Sequence, residues 1–129
     1  MRKNGMVNIV KKVLAFSMFI GLLWLISCEK STFEPPTVDP GKQVSFQNDV
    51  QPLFTSKCIG CHGTGKNQPT LQEGSSYNSL TQGGYVNTAK PEQSRIYVQI
   101  TTNAGHKSIL NDLQKQTILA WIKQGAKNN

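Results

Sequence analysis

Two cysteines and a histidine stand together in the middle of the chain, in the order Cys58-Ile59-Gly60-Cys61-His62. Two thiols three positions apart can each add to one vinyl group of a porphyrin, and the imidazole that follows can then bind the iron from below. This is the spacing at which c-type haem is attached covalently. The motif therefore predicts one haem c per chain, linked through Cys58 and Cys61 and ligated by His62.

The same cysteines permit three other interpretations. A disulfide between Cys58 and Cys61 would close so small a loop that it would constrain little of the unfolded chain. A thioredoxin-like redox pair needs a neighbouring strand, helix and strand, and the sequence has no such alternation. A zinc site would use Cys58 and Cys61 with the two histidines of the chain, but His62 follows Cys61 directly, whereas finger-type sites space their ligand pairs differently. The residues favour haem attachment over all three.

The N-terminus has the features of an export signal. Basic residues precede an apolar run at positions 13–26. A membrane-spanning helix needs roughly 18 residues or more, so this shorter run is typical of a signal peptide. It ends in Leu25-Ile26-Ser27-Cys28, which resembles the lipobox of bacterial lipoproteins, in which the cysteine carries the lipid. An ordinary signal peptide with an unrelated cysteine is the alternative. We expect export, and a periplasmic or outer-surface lipoprotein anchored to the membrane through Cys28.

Removal of the signal peptide, residues 1–27, would leave a tether and one small domain. Residues 28–44 contain prolines among polar residues and almost no apolar side chains, a composition that favours an extended tether. Residues 45–129 are few for a self-sufficient core, and domains of this size commonly recruit a cofactor, a metal or disulfides. A bound haem would supply the missing interior.

The charge of the chain excludes one class of partner. The full sequence carries a net charge of +7, but residues 28–129 hold 10 basic and 7 acidic residues and carry only +3. A nucleic-acid-binding protein would concentrate its basic residues on one face or along one helix. Here they are scattered among acidic residues, and we expect no nucleic-acid partner.

The approach to the motif is predicted to be helical. Ser45 can cap a helix that delivers the chain to Cys58, because apolar residues recur behind it near helical spacing. Pro52 removes a backbone donor, so we expect this helix to kink or to begin afresh near Gln51. The recurring apolar residues are Phe46, Val50, Leu53 and Phe54.

Further helical segments are expected after the motif, and no strand pattern of useful length is present. One turn is predicted over residues 75–80, and Pro91 suits a helix start. The last helix is the clearest, since Asn111 can cap it with Gln114 in the capping-box position and Gly125 can end it. Its predicted apolar stripe consists of Leu113, Ile118, Trp121 and Ile122. We therefore expect an all-α domain.

Residues 45–129 resemble a monohaem cytochrome c domain of the bacterial class I type. The matching segments are the approach 44–54, the motif 58–62, the helix around 94–97 and the closing stretch 118–126. The resemblance implies a cytochrome c fold of short helices around a covalently bound haem, with the first and last helices crossing through Phe46 or Val50 and Trp121 or Ile122.

The resemblance also implies the surroundings of the haem. A carbonyl near Pro69 would accept a hydrogen bond from the His62 ring. Tyr97 and Trp121 are the cofactor-binding aromatic residues that we expect, with ordinary core packing as the alternative for each. The other pocket candidates, with the same alternative, are Leu71, Tyr77, Leu80, Ile96 and Ile100.

The chain departs from the family at the second axial position of the iron. Most such domains supply a methionine from the loop before the last helix, but all three methionines of this chain lie within residues 1–27. The corresponding loop, residues 101–108, holds His106, the one histidine besides His62. We therefore expect His106 to be the second ligand. The alternatives are Lys107, an asparagine side chain, or an iron that is five-coordinate or bound to water.

These expectations define a function and a rival to it. A haem with two imidazole ligands would have a lower reduction potential than one with methionine, and no open position for oxygen or peroxide. We expect a membrane-anchored c-type cytochrome that carries single electrons without substrate turnover. Its redox partners would be a dehydrogenase, a quinol-oxidising complex or a terminal oxidase or reductase. An exchangeable sixth ligand would instead indicate a haem-based peroxidase or gas sensor.

Three lysines lie near the expected haem edge, at positions 57, 66 and 107. They would orient a redox partner through complementary charge, or they are simply solvated.

Overall fold

The computed structural model describes residues 38–39 and 41–129, which contain helices and no strands. The all-α prediction is confirmed for this part of the chain. The predicted signal peptide, Cys28 and most of the predicted tether lie outside the described residues. Within the described residues, no helix is long and apolar enough to cross a bilayer.

The elements are short and follow one another through turns and loops. The α-helices of the described part are α1 (Gln51–Lys57), α2 (Ile59–His62), α3 (Ser76–Gln82), α4 (Arg95–Thr102) and α5 (Asp112–Lys123). A π-helical turn, Phe46–Val50, runs directly into α1, and a 3₁₀ turn, Pro91–Gln93, precedes α4.

Pro52 shapes the entry to the domain as expected. The Ser45 hydroxyl accepts a hydrogen bond from the backbone N–H of Asn48, which caps the first turn. Pro52 has no N–H to donate, and the chain ahead of it is wound as the π-helical turn. The regular helix α1 begins at Gln51. The predicted restart near Gln51 is confirmed.

The fourth helix begins later than the sequence indicated. Pro91 starts only a 3₁₀ turn, and the backbone at Ser94 is extended. The buried Ser94 hydroxyl accepts a hydrogen bond from the Asn87 N–H and donates one to the Asn87 carbonyl. Because Ser94 is bonded to the preceding loop, α4 begins at Arg95.

The last helix has the predicted ends but a different apolar face. Asn111 and Gln114 form the complete capping box, and Gly125 ends the helix with a φ of +94°. Leu113 was wrongly assigned to the core, since it is 44% exposed. It precedes Ile118 by five positions, which places it about 140° away around the helix. The buried residues are Ile118, Leu119, Trp121 and Ile122.

The first and last segments pack on each other through aromatic rings. The ring centroids of Phe46 and Trp121 are 5.0 Å apart, and those of Phe46 and Tyr77 are 5.3 Å apart. Trp121 is 1% exposed, and its indole N–H donates to the carbonyl of Lys127. The predicted contact between Phe46 and Trp121 is confirmed.

Packing against the core extends ahead of the predicted boundary at residue 45, since Val38 is partly buried against it. Val44 is buried, and its N–H donates to the side chain of Gln124. The Ser45 hydroxyl donates to the carbonyl of Asn129, so the start of the domain is bonded directly to its last residue.

Replacing Trp121 with alanine should destabilise the protein by about 3–5 kcal/mol, because it removes a fully buried ring from the contact between the first and last segments. The matched control on the same helix is Leu113→Ala, which should change the unfolding free energy by less than about 0.5 kcal/mol since that side chain is exposed. Urea unfolding measures both. Equal losses in the two variants would contradict the packing described here.

Candidate functional site

A cleft lies between the motif, helix α4 and the loop that precedes α5. It holds about 770 Å³ of space not filled by protein atoms, part of which is open to solvent. Its walls are mostly apolar, as in many binding sites for small molecules and cofactors. The cleft is lined by Phe54, Cys58, His62, Gln68, Pro69, Leu71, Tyr85, Arg95, Ile96, Gln99, Ile100, His106 and Leu110.

The motif occupies a single helical turn at one side of the cleft. The N–H groups of Cys61 and His62 both donate to the carbonyl of Cys58, at 3.1 and 2.9 Å. Residues three and four apart on a helix are neighbours on its surface. This turn therefore keeps both thiols and the imidazole within one small region.

The His62 ring is oriented by a backbone carbonyl. Its Nδ1 lies 3.0 Å from the carbonyl oxygen of Pro69, and a carbonyl can only accept, so Nδ1 carries the proton and donates. The Nε2 lone pair is then left for a metal. The N–H of Leu71 donates to the His62 carbonyl at 2.7 Å, which holds the Pro69 loop over the motif. The predicted hydrogen bond near Pro69 is confirmed.

The His106 ring lies close to the His62 ring, and both residues line the cleft. The two ring centroids are 6.1 Å apart, with 51° between the ring planes. His106 Nδ1 lies 3.2 Å from Oδ1 of Asn103. The same Asn103 atom also accepts a hydrogen bond from the backbone N–H of Gly105, so it is the oxygen and not the nitrogen of the Asn103 side-chain amide. His106 Nδ1 therefore donates, and its Nε2 is likewise left for a metal.

The spacing of the two histidines leaves room for one metal atom. If one metal atom took a bond of about 2 Å from a nitrogen of each imidazole, the two ring centres would lie about 6 Å apart. Among the described residues, no group of three or more histidine, cysteine or acidic side chains is placed to hold a metal ion. Zinc in structural sites takes four protein ligands, whereas a porphyrin iron takes only axial ones. The donor set therefore fits a haem better than a bare ion.

The two cysteines are free thiols in the structure. Cys58 is half-buried and lines the cleft, whereas Cys61 is exposed. Burial raises the pKa of the Cys58 thiol, while reactive redox cysteines have lowered pKa values. This environment disfavours a thioredoxin-like pair.

The predicted aromatic residues Tyr97 and Trp121 do not line the cleft. Trp121 is buried against Phe46 and Tyr77, and Tyr97 packs half-buried against the same core. Their role in binding a cofactor stays a prediction. The pocket candidates that the structure brings to the cleft are Leu71, Ile96 and Ile100, while Tyr77 and Leu80 belong to the core.

Sequence reasoning missed several lining residues, of which Arg95 is the most consequential. Its guanidinium lies 4.6 Å from the centre of the Tyr85 ring. It forms no ion pair within residues 41–129 and brings the only fixed charge to the cleft lining among them. Helical spacing from Ile96 would have indicated Gln99 on the same face of α4 as the predicted Ile100. No local signal indicated Tyr85, which comes from a loop.

The three lysines differ in their surroundings. Lys57, Lys66 and Lys107 are all exposed. Lys66 donates to the carbonyl of Gly60, which holds it beside the motif.

Comparisons of this chain with protein-family models, with curated proteins and with solved structures find no match.

Proposed function

We propose that residues 45–129 form a cytochrome c domain with one haem c, bonded through thioethers to Cys58 and Cys61. His62 and His106 are its axial ligands, and the protein carries single electrons. The observation that carries this proposal is the pair of imidazoles facing each other at 6.1 Å beside the cysteine motif, each with Nδ1 already bonded.

A bound haem would supply an iron that gains and loses one electron. The residues of this chain do the rest. Phe54, Ile96 and Ile100 give the cleft an apolar wall against which the porphyrin ring would pack. Arg95 offers a positive charge to the porphyrin carboxylates. With both imidazoles bound to the iron, no position on the metal would be left for a small substrate.

The same proposal includes the cellular setting. The signal peptide directs export, and a lipid on Cys28 anchors the protein to the membrane at the periplasmic or outer surface. The prolines of the tether give the domain reach toward redox partners, which we place among dehydrogenases, quinol-oxidising complexes and terminal oxidases or reductases. Exposed Lys57 and Lys107 contribute to their approach through long-range charge.

The rival function is a haem-based peroxidase or gas sensor, which needs an exchangeable sixth ligand. One observation favours it: His106 lies in a loop and not on a helix, and its described side-chain bond is to a residue of the same loop. A ligand on a loop can detach with a small local rearrangement. The two functions therefore differ in whether His106 stays bound.

The test is to produce the full chain in a bacterial host that attaches haem c. We expect haem staining that survives a denaturing gel and a low-spin spectrum in both oxidation states. Carbon monoxide added to the reduced protein should bind slowly. Rapid binding would favour the peroxidase or sensor, and a colourless protein with the mass of its polypeptide alone would reject the haem.

A further inference from the structure

We propose that Asn103 is a positioning residue that aims the His106 ring at the iron and strengthens its bond to the metal. The inference rests on the proposed function and adds a residue outside the motif, outside the ligand pair and outside the cleft lining.

Asn103 organises the turn that carries His106. It follows α4 directly, and its own N–H donates to the carbonyl of Gln99. Its carbonyl accepts from the N–H groups of His106 and Lys107, at 3.0 and 2.9 Å. Its side-chain Oδ1 accepts from the Gly105 N–H at 2.8 Å and from His106 Nδ1 at 3.2 Å. One residue thus bonds both the backbone of His106 and its ring.

The ring of each candidate ligand forms a hydrogen bond through Nδ1, but one acceptor is a backbone atom and the other is a side-chain atom. His62 Nδ1 donates to a backbone carbonyl, that of Pro69, and His106 Nδ1 donates to a side chain. Partners of this kind orient a metal-ligating imidazole, fix its tautomer and raise its basicity. Because the His106 partner is a side chain, this bond can be removed by substitution without altering the motif.

Three variants separate a positioning role from a purely structural one. Asn103→Leu removes the acceptor, and Asn103→Asp keeps an acceptor for both Gly105 and His106. Ala104→Asp adds the same negative charge at the adjacent position and leaves Asn103 unchanged. Both positions are exposed, so none of the three changes disturbs the core.

The first readout is the rate at which the reduced haem protein binds carbon monoxide, which requires His106 to leave the iron. Loss of a hydrogen-bond partner of a metal ligand weakens metal binding about 10–100-fold. We expect Asn103→Leu to bind carbon monoxide faster by about that factor. Asn103→Asp and Ala104→Asp should stay close to the unaltered protein.

The second readout is the reduction potential, which a merely structural role would not move in opposite directions. A carboxylate that accepts from Nδ1 makes the imidazole a stronger donor to ferric iron. We therefore expect Asn103→Asp to lower the potential by more than Ala104→Asp does, and Asn103→Leu to raise it.

The outcomes separate this inference from the proposed function. Carbon monoxide binding and a potential in Asn103→Leu equal to those of the unaltered protein would overturn the role of Asn103 alone, provided His106→Ala still opens the iron. Equal acceleration in the leucine and aspartate variants would also overturn it. If the unaltered protein binds carbon monoxide as fast as His106→Ala, the bis-histidine site fails, and the inference fails with it.

Discussion

Replacing Cys58 and Cys61 together with alanine should leave the protein without covalently bound haem when it is produced in a host that attaches haem c. The two thiols lie in the helical turn that ends in His62, with Cys58 in the wall of the cleft. No other cysteine besides Cys28 is present in the chain to replace them. Haem staining after a denaturing gel and the intact mass of the purified protein measure the result. The expected loss is complete.

The matched control for the cysteine pair is Cys28→Ala. It should retain the haem and lose only the association with membranes, since it removes the proposed lipid site and not a thioether. Haem staining of the double variant at the level of the control would reject Cys58 and Cys61 as the attachment sites. The double variant should also be less stable, because small domains commonly depend on a bound cofactor or metal for stability and the proposed haem would no longer be attached.

Replacing His106 with alanine should convert the haem from low spin to high spin. The variant removes the ring that faces His62 at 6.1 Å and leaves one side of the iron open. Carbon monoxide and cyanide should then bind readily, and the absorption spectrum of both oxidation states records the change. Since His106 is half-buried in a loop, the fold should be retained.

Lys107→Ala provides the control for this experiment, because Lys107 is the neighbouring alternative ligand and is exposed. It should leave the spectrum unchanged. A low-spin spectrum that survives His106→Ala but is lost in Lys107→Ala would move the ligand to the lysine. His106→Met should restore a six-coordinate iron with a higher reduction potential, since methionine raises the potential of a histidine-ligated haem.

Local signals in the sequence predicted the local features well. The capping box at Asn111, the restart of the first helix at Gln51 and the helix end at Gly125 depend on residues within a few positions of one another, and all three are confirmed. The late start of α4 was not foreseen, because it depends on hydrogen bonds between Ser94 and Asn87 in the loop ahead of the helix.

The candidate site was predictable only in part. The cysteine motif predicts haem attachment because its three residues lie within five consecutive positions of the chain. The absence of methionine after residue 27 indicated His106 as the second ligand. Tyr97 and Trp121 are predicted to bind the cofactor and this stays a prediction, whereas the cleft is lined by other residues, among them Tyr85 and Arg95, that the sequence did not indicate. The packing of the helices decides which apolar side chains line the cleft. The spacing of apolar residues along the sequence does not reveal that packing.

The sequence by itself determined the chemistry that this protein can offer, namely two thiols and an imidazole in one helical turn and a second imidazole with no competing methionine. Only the tertiary structure decided the geometry of the histidines. It brings the rings of His62 and His106 to 6.1 Å and bonds one to Pro69 and the other to Asn103. The physical reason is distance along the chain: two residues 44 positions apart meet only if the intervening helices fold back on one another.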